Sequence, residues 1–521
     1  MNKFYITTPI YYVNASPHLG HAYTDVAADV LARWHRSQAE ETFFLTGTDE
    51  HGAKIARAAD KAALPPAEFV KEKHKAFQRL LGVLNVSNDD FIFTSDQARH
   101  WPGAVALWKK FEQAEDLYKK AYQGLYCVGH EAFVTEKDLV GGLCIDHQTK
   151  PEVIEEENYF FRLSKYVDRI RDAIEKGEMK IHPAARKNEV LSFLKEKIED
   201  ISFSRPAKDI PWGIPVPGDP DHTMYVWADA LANYISALGY GAANETQFTK
   251  FWPADIHLIG KDILRFHAVY WPAMLMSAGL ALPKNIFVHG MILSGGVKMS
   301  KTIGNVVDPV EIIQEFGVDA FRYFVLREIP FGEDGDFTRE RFANVYEGNL
   351  AHGIGNLVSR VAAMVQKNFP QGLAKPSAAA LASVPTHRIF RQEVTSDRME
   401  LEGEMLDQYF EGELEPAFRA AMDEFKLTEA IAFLMTFFSF LDGYVQEYEP
   451  FRLVKTDAEK ASAVLWNLAF YIVKASVLLE PFLPATAQAI TKAFELAPDG
   501  NRIVITSKPV LFPSKKVRAP Q

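Results

Sequence analysis

The first 114 residues alternate short apolar, β-prone runs with longer stretches in which apolar residues recur at helical spacing. Runs typical of buried strands lie at residues 4–8, 42–46 and 91–94, and two more follow at 256–259 and 286–288. Strands that alternate with helices predict an α/β fold with a doubly wound, Rossmann-like parallel sheet. We expect residues 1–114 to form the first half of such a domain and residues 222–338 the second half.

The pattern changes twice along the chain. Residues 115–221 hold an aromatic run at 158–161 and a proline-rich segment at 211–217, which predicts a connective domain inserted between the two halves. From residue 339 to 505 strand patterns nearly vanish, and amphipathic stretches such as 427–448 and 461–479 predict an all-α helical bundle. Residues 506–521 form a basic C-terminal tail.

Two short motifs about 280 residues apart carry the clearest chemistry. The first, PHLGH at residues 17–21, follows the first predicted strand and is expected to open a helix with Ser16 as N-cap. His18 and His21 then share one helical face, and Gly20 between them lets a flat ligand approach the backbone. A helix N-terminus with two imidazole donors suits charge that develops on a phosphate.

The second motif is KMSKT at residues 298–302, where Lys298 and Lys301 follow a flexible turn at 294–296. A loop with two ammonium groups can close on a triphosphate and neutralise a departing pyrophosphate. Either motif alone is more often a structural feature or a solvated loop. Their order, spacing and strand–loop contexts together favour nucleotidyl transfer from ATP, and the common Walker A and GxGxxG phosphate loops are absent from the sequence.

Charge and hydropathy narrow the class of protein. The 521 residues carry a net charge of −11, which argues against a general nucleic-acid coat, although lysines and arginines can still cluster on one face. No uninterrupted apolar stretch of about 18 residues occurs, so no membrane span is expected. The N-terminus lacks the layout of a signal peptide, which predicts a cytoplasmic protein. Nothing in the sequence resembles a dimerisation appendage, so a monomer is expected.

The only two cysteines lie in one segment and have metal-ligand spacing. Cys127 and His130 form one Cys-x-x-His pair, and Cys144 and His147 form a second after a Gly-Gly turn. Together they supply a complete set of four ligands for a structural Zn²⁺. The alternative is a pair of thiols with two surface histidines and no metal. A disulfide is not expected in a reducing cytosol.

The two phosphate motifs resemble the signatures of class I aminoacyl-tRNA synthetases. More narrowly, the chain is similar to the methionyl-tRNA synthetases at residues 5–14, 46–52, 225–231 and 260–267. The resemblance runs from the first residues to about residue 500. Leu19 in the first motif and Thr302 in the second are mild departures from the family pattern. In that family cysteine commonly stands where this chain has His130, and some members have lost the metal.

The resemblance implies a two-step reaction with L-methionine, Mg²⁺-ATP and initiator and elongator tRNA(Met) as substrates. It implies catalytic roles for His18, His21, Lys298 and Lys301. It also implies that the ATP-binding residues are His18, Gly20, His21, Gly260, Asp262, Lys298 and Lys301. For methionine it implies a site formed by Ile10, Tyr12, Asp49, Trp227, Ala230, Leu231, Tyr234 and His267.

Several of these residues follow predicted strands directly. In a doubly wound sheet ligands bind beyond the carboxyl ends of the strands, where Tyr12, Asp49 and Gly260 are expected. The resemblance implies that Asp49 binds the substrate's α-ammonium group. It also implies that Asp262 and Arg205 are acidic and basic supports nearby. Without it, Trp227 and Tyr234 would be assigned to the core.

In the bundle, the resemblance implies that Asn356, Arg360 and Phe451 bind the CAU anticodon. Asn356 and Arg360 lie four residues apart on one helical face, which on its own is typical of a solvated surface. Phe451 stands where the family usually has a tryptophan that stacks on a base. Either Phe451 keeps a stacking role or it is part of the bundle core.

Three other classes of protein remain open. Synthetases for isoleucine, valine or leucine carry an inserted editing domain much longer than residues 115–221. Cysteinyl-tRNA synthetase needs a cysteine close to the first motif. A small-molecule nucleotidylyltransferase would lack the helical C-terminal part. A non-enzymatic tRNA-binding homologue would be expected to have lost His18, His21 or Lys301.

Overall fold

The structure, a computed structural model, describes residues 2–127, 132–134, 136–145, 148–299, 306–385, 389–390, 400–401 and 406–515. The chain divides into two compact units, Met1–Met291 and Ile292–Gln521.

A six-stranded sheet forms the centre of the first unit, and every pairing in it is parallel. Across the sheet its strands are Asp90–Phe93, Glu41–Asp49, Lys3–Tyr12, Ile256–Gly260, Asn285–His289 and Lys180–His182. The five apolar runs of the sequence are the first five of these strands, which confirms the predicted α/β fold. The sixth strand lies in the stretch expected to be inserted, and its single buried apolar residue, Ile181, is too weak a pattern to predict a strand.

Helices surround this sheet. The first, Leu19–Ser37, is buried along most of its length because Ala, Val and Leu residues occupy its inner positions. The other α-helices of the unit are Ala53–Lys61, Pro66–Val83, Trp101–Gln113, Val167–Glu175, Ala184–Phe193, Val226–Ala230, Asn233–Ser236, Thr246–Phe251 and Trp271–Ala278. Shorter 3₁₀ turns lie at Glu136–Asp138, Leu163–Tyr166 and Lys261–Ile263, and a π-helical turn lies at Phe266–Tyr270.

Antiparallel strands make up the rest of the unit. Leu117–Cys127 pairs along its length with Glu152–Phe161, which is flanked by Ile201–Ser202, and Leu117–Cys127 also pairs with Ala132–Val134. A second small sheet contains Ser204–Pro206, Asp219–Met224 and Pro215–Val216. Leu139–Val140 and Leu143–Cys144 form a hairpin whose turn needs positive φ at Gly141 and Gly142.

The order of the strands defines a topological switch point in the large sheet. Lys3–Tyr12 lies between Glu41–Asp49 on one side and Ile256–Gly260 on the other, which makes it the switch point of the sheet. In register, Tyr12 is paired with Asp49, and Gly260 is paired with His289. All four residues therefore lie at the carboxyl edge, where such sheets bind their ligands.

The second unit is mainly helical. Its α-helices are Pro309–Phe316, Val318–Arg327, Arg339–Val345, Asn356–Asn368, Ala378–Ala382, Leu406–Tyr409, Glu415–Asp423, Leu427–Tyr448, Pro450–Thr456, Ala458–Leu479 and Pro484–Ala493, with π-helical segments at Tyr346–Gly355 and Phe410–Leu414. Its strands are Ile292–Ser294, Val297–Lys298, Gly335–Phe337, Leu373–Ala374, Ile389–Phe390, Glu400–Leu401, Phe494–Leu496 and Arg502–Ile505.

Two helical segments of this unit, Leu427–Thr456 and Ala458–Leu479, are long and apolar enough to cross a membrane by length and composition. In Ala458–Leu479, 78% of the apolar window is buried inside the protein. Burial in the bundle is therefore sufficient to explain the apolar character of this helix.

Candidate functional site

The helix that carries the first motif begins two residues later than expected. Its N-cap is His18 and its first residue is Leu19, so Ser16 is not the cap. The Gly20 N–H donates to Nδ1 of His18, and the His18 N–H donates to Nδ1 of His21, both at 3.1 Å. The two histidines thus replace the usual serine and glutamate of a capping box.

This capping arrangement determines how both imidazoles are protonated. Each Nδ1 accepts a backbone N–H, so each neutral ring carries its proton on Nε2 and presents a donor there. The rings stack with centroids 3.8 Å apart. Burial, and next the adjacent His18 ring, lower the pKa of His21 well below its usual value. At neutral pH His21 is therefore an uncharged hydrogen-bond donor.

Gly20 also has a local packing role that the sequence did not predict. A Cβ at this position would lie 2.9 Å from Cε1 of His18. The absence of a side chain thus makes room for the His18 ring.

A second group lies at the exits of the strands Ile256–Gly260 and Asn285–His289. A Cβ on Gly260 would lie 2.7 Å from Oδ1 of Asp262 and 3.6 Å from Cε1 of His289. Nε2 of His289 lies 2.7 Å from the Thr24 hydroxyl, on the helix of the first motif. The structure therefore brings Gly260, Asp262 and His289 together, and His289 connects them to that helix.

Aromatic residues from two separate helical segments pack together and form an aromatic wall. Trp227 stacks on Phe266 with ring centroids 3.7 Å apart, and Tyr234 Oη lies 2.7 Å from Nε2 of His267. Nδ1 of His267 donates to the Ile263 carbonyl at 2.9 Å, so its Nε2 accepts from the Tyr234 hydroxyl. Burial lowers the pKa of His267 to about 4. The pair is therefore neutral at physiological pH.

The remaining predicted methionine residues occupy the same unit. Ile10 packs half-buried against the main core, whereas Ala230 and Leu231 are buried. Trp227 is partly exposed and Tyr234 is buried. Of the two residues that the sequence alone assigned to the core, only Tyr234 is therefore enclosed by the protein.

Behind the aromatic wall lies a layer that the sequence did not indicate. His257 accepts from Trp271 Nε1 at 3.2 Å and lies 2.7 Å from the Thr7 hydroxyl, and its ring centroid lies 4.2 Å from that of Tyr234. Burial lowers the pKa of His257 well below its usual value. This neutral histidine supports Tyr234 from the core side.

Tyr12 and Asp49 are joined through the main chain of His51. The Tyr12 hydroxyl donates to the His51 carbonyl at 2.8 Å, and the His51 N–H donates to Oδ1 of Asp49 at 3.3 Å. The Thr94 hydroxyl donates to the same carboxylate oxygen at 3.3 Å. Asp49 is thus a buried carboxylate held at a strand end.

Sequence reasoning missed Asp229 and His100, which lie behind this group. Asp229 binds Nδ1 of His51 at 2.6 Å and Nε2 of His100 at 2.7 Å. The signal was present, since Asp229 is a carboxylate in the otherwise apolar segment 225–231. An isolated charge in an apolar helix needs a buried partner.

Arg205 lies buried between aromatic rings. Its guanidinium carbon is 5.0 Å from the centre of the Tyr126 ring and 5.2 Å from that of Tyr225. It also donates to the Ser202 hydroxyl and the Ser204 carbonyl. Its orientation is therefore determined by the small antiparallel sheet.

Part of the predicted metal group lies outside the described residues, since His130 and His147 are not among them. Cys127 and Cys144 are described, both buried, and neither is in a disulfide. Within the described part of the chain, no group of three or more metal-type ligands comes together.

The lysine motif belongs to the second unit. Lys298 ends the short strand Val297–Lys298, which pairs with Ile292–Ser294. Lys301 lies outside the described residues.

The three predicted anticodon residues lie in the helical part of the second unit. Asn356 is exposed at the start of the helix Asn356–Asn368, and Phe451 is 45% exposed on Pro450–Thr456. Phe451 is therefore not part of the bundle core. Arg360 forms an ion pair with Asp442 at 2.8 Å, and its Nε is buried without a partner in the described part of the chain.

Comparison with known proteins decides the family. Residues 4–146 and 134–362 match the profile described as tRNA synthetases class I (M). Residues 397–504 match the profile of the anticodon binding domain of methionyl tRNA ligase. The chain belongs to the methionyl-tRNA synthetases.

Individual relatives agree with this assignment over nearly the whole chain. The methionine–tRNA ligase of Brucella suis biovar 1 is 40% identical over 523 residues, covering 100% of this chain and 97% of its own length. That of Clostridium acetobutylicum is 44% identical over 491 residues, which is 94% of this chain and 72% of the relative. The structure of Mycobacterium tuberculosis methionyl-tRNA synthetase in complex with methionyl-adenylate has a TM-score of 0.89 at 36% identity, covering 98% of this chain and 100% of that one.

Proposed function

We infer that this chain is an ATP-dependent methionine–tRNA ligase that supplies methionyl-tRNA for translation initiation and elongation. The observation that carries the inference is the convergence of Tyr12, Asp49, Gly260 and His289 at one edge of the parallel sheet. The capped histidine helix follows the same first strand. This arrangement supports an amino-acid site and a nucleotide site at the same edge of the sheet.

In the first step a carboxylate oxygen of methionine attacks the α-phosphorus of ATP, and the bond to pyrophosphate breaks. In the second step a ribose hydroxyl at the 3′ end of tRNA(Met) attacks the methionyl carbonyl, loses its proton, and AMP leaves. Neither step needs a covalent protein nucleophile, so the side chains act by positioning and charge stabilisation. Mg²⁺ bound with ATP supplies positive charge to the phosphates.

We propose that Asp49 binds the α-ammonium group and that the neutral Tyr234–His267 pair contacts the thioether. A polarizable sulfur favours an apolar, aromatic surface, which Trp227 contributes along with Ile10, Tyr12, Ala230 and Leu231. Because both members of the polar pair are uncharged, they add no electrostatic preference for a charged side chain. Arg205 acts as a basic support near the substrate.

For ATP, we propose that Nε2–H of His18 and of His21 donate to the phosphates, and that Gly260 and Asp262 lie against the adenosine. Lys298 and Lys301 would neutralise the departing pyrophosphate. Activation then belongs to residues 1–338, with 115–221 as the connective insertion, and anticodon binding to residues 339–505, followed by the tail 506–521. We further propose a cytoplasmic monomer without a membrane partner.

The decisive experiment is ATP–pyrophosphate exchange with each of the twenty amino acids, followed by charging of tRNA(Met). Methionine should give the strongest exchange. Selectivity against homocysteine should be modest, since one methyl group in an apolar contact contributes ~1–3 kcal/mol. Stronger exchange with isoleucine, valine or cysteine would refute the proposal.

Anticodon binding by the bundle gives a testable separation of two activities. Arg360→Ala should lower charging of tRNA(Met) by roughly ten- to hundred-fold, the effect of losing about 1–3 kcal/mol of base contact. ATP–pyrophosphate exchange should stay near normal, since the two sites belong to domains with separate cores. Both activities are measured on the same preparation.

The ion pair provides a matched control. Asp442→Ala breaks the same pair but leaves the guanidinium available, so charging should be retained. Equal losses in the Arg360 and Asp442 variants would mean that the pair only supports the fold. Because Phe451 is exposed, Phe451→Trp should be tolerated and should hold or improve charging if a base stacks there.

We propose that Cys127, His130, Cys144 and His147 bind one structural Zn²⁺. Both cysteines are buried outside any disulfide, and Cys144 lies in the Gly-Gly hairpin, so the two thiols are suitable soft ligands. Protein purified without chelators should contain about one zinc per chain, and Cys144→Ser should lower that content. A metal content near zero in the unmodified protein would identify a knuckle that has lost its metal.

A further inference from the structure

One buried carboxylate joins two separate parts of the amino-acid site. Asp229 is 1% exposed and accepts hydrogen bonds from His51, which is 2% exposed, and from His100, which is fully buried. The Ser236 hydroxyl lies 2.8 Å from the other ring nitrogen of His100. The four side chains form a continuous network in the first unit.

The charge on Asp229 determines the protonation of both rings. Burial alone would raise the pKa of Asp229, but His51 and His100 outweigh this effect and lower it below the usual range. An ionised carboxylate only accepts, so Nδ1 of His51 and Nε2 of His100 must each carry a proton. In its neutral form His51 therefore has a lone pair on Nε2.

That lone pair has no partner among the described residues. Nε2 of His51 is buried and makes no hydrogen bond to any described residue. A buried acceptor without a donor is costly unless a ligand or water supplies one. The ammonium group of an amino acid has three N–H donors. A single carboxylate commonly accepts from only one or two of them.

The network also connects the residues proposed to bind methionine. The main chain of His51 contacts both Tyr12 and Asp49. Asp229 lies on the short helix Val226–Ala230, which also carries Trp227. The His51–Asp229 bond thus ties the ammonium side of the site to its aromatic side.

We propose that Asp229 is a positioning residue for amino-acid recognition: it holds His51 so that Nε2 accepts from the α-ammonium group and Asp49 keeps its place. Asp229 does not touch the substrate itself. The proposal rests on the function inferred above, and it specifies which part of the substrate the network recognises.

Asp229→Asn tests this arrangement because an asparagine cannot accept from both histidines. Its amide group must donate to one of them, so one ring changes its tautomer or loses its bond. In methionine-dependent exchange, the KM for methionine should rise about 10- to 100-fold, while the KM for ATP should change less than twofold.

Three ligands separate the ammonium contact from a general loosening of the pocket. Binding of methionine and of methioninol, which keeps the amine but lacks the carboxylate, should weaken together by at least tenfold. Binding of 4-(methylthio)butanoate, which lacks the amine, should change less than twofold. Dissociation or inhibition constants are measured for each ligand with the variant and with the unmodified protein. They form a thermodynamic cycle in which one change is made in the protein and the other in the ligand.

Asp116→Asn is the matched control, since Asp116 is another fully buried carboxylate of the first unit. It binds Lys165, Tyr166 and Ser277, away from the residues of the site. This variant should lose stability and keep its KM for methionine. If Asp229→Asn does not fold, Ser236→Ala loosens His100 without changing charge and should raise the same KM by a few-fold.

Equal weakening of all three ligands, or an unchanged KM for methionine, would overturn the positioning role. Absence of methionine-dependent exchange in the unmodified protein would instead refute the proposed function. The two failures are therefore distinguishable.

Discussion

Replacing His21 with alanine should lower the rate of methionine-dependent ATP–pyrophosphate exchange by about 10²–10³-fold, the usual effect of losing one donor to transition-state charge. Because His21 accepts the His18 N–H, the helix cap holds its Nε2–H in a fixed donor position. The KM for methionine should change little, since we propose that this donor acts on the phosphates. Steady-state exchange at saturating methionine and ATP measures the effect.

Two further variants separate catalysis from capping. His21→Glu retains an acceptor for the His18 N–H, as in an ordinary capping box, so thermal stability should be close to normal. Exchange should remain low, because a carboxylate cannot donate and repels phosphate. His35→Ala, at the other end of the same helix, should leave exchange unchanged. Recovery of exchange in the glutamate variant would show that His21 is only a cap.

Asp25→Asn should stabilise the protein strongly at neutral and alkaline pH. Burial raises the pKa of Asp25 to about 8, despite hydrogen bonds from Tyr11 and Thr46. Between pH 4 and 8 the native protein holds a proton that the unfolded chain has released, so wild-type stability falls as pH rises. At pH 7 the difference is on the order of 4 kcal/mol, and asparagine can still accept from the Tyr11 hydroxyl.

Denaturation at several pH values provides the measurement. The advantage of Asp25→Asn should grow by about 1.4 kcal/mol per pH unit between pH 5.5 and 7.5. Asp116→Asn is the control, because burial is outweighed there by hydrogen bonds from Lys165, Tyr166 and Ser277, which lower the pKa of Asp116. Its effect on stability should be constant over the same range. A constant advantage for Asp25→Asn would mean that Asp25 is already ionised in the native protein.

Local sequence patterns are sufficient to predict most strands of the large sheet. The runs at 4–8, 42–46, 256–259 and 286–288 lie in strands of the structure, and the run at 91–94 lies in the strand Asp90–Phe93 except for Thr94. Each is a short β-prone segment in which most residues are apolar, which is the pattern of a strand buried on both faces. The three-residue strand Lys180–His182 escaped prediction because it offers no such run.

The start of the first helix shows where local rules are insufficient. Serine followed by proline is a common helix start, and Ser16–Pro17 was predicted on that basis. The structure places the cap at His18 instead, because two histidine side chains satisfy the first backbone donors. This choice depends on side-chain hydrogen bonds that residue preferences do not report.

The sequence by itself determined most of the strands and helices along the chain, the two short motifs and the family resemblance, because these depend on residues close together in the chain. Only the tertiary structure decided which buried polar groups are paired. Asp229 lies 178 residues from His51 and 129 residues from His100, and His257 lies 250 residues from Thr7. No periodicity or spacing predicts such partners, since each is selected by the packing of strands and helices from distant parts of the chain. The protonation of the site's histidines follows from those contacts.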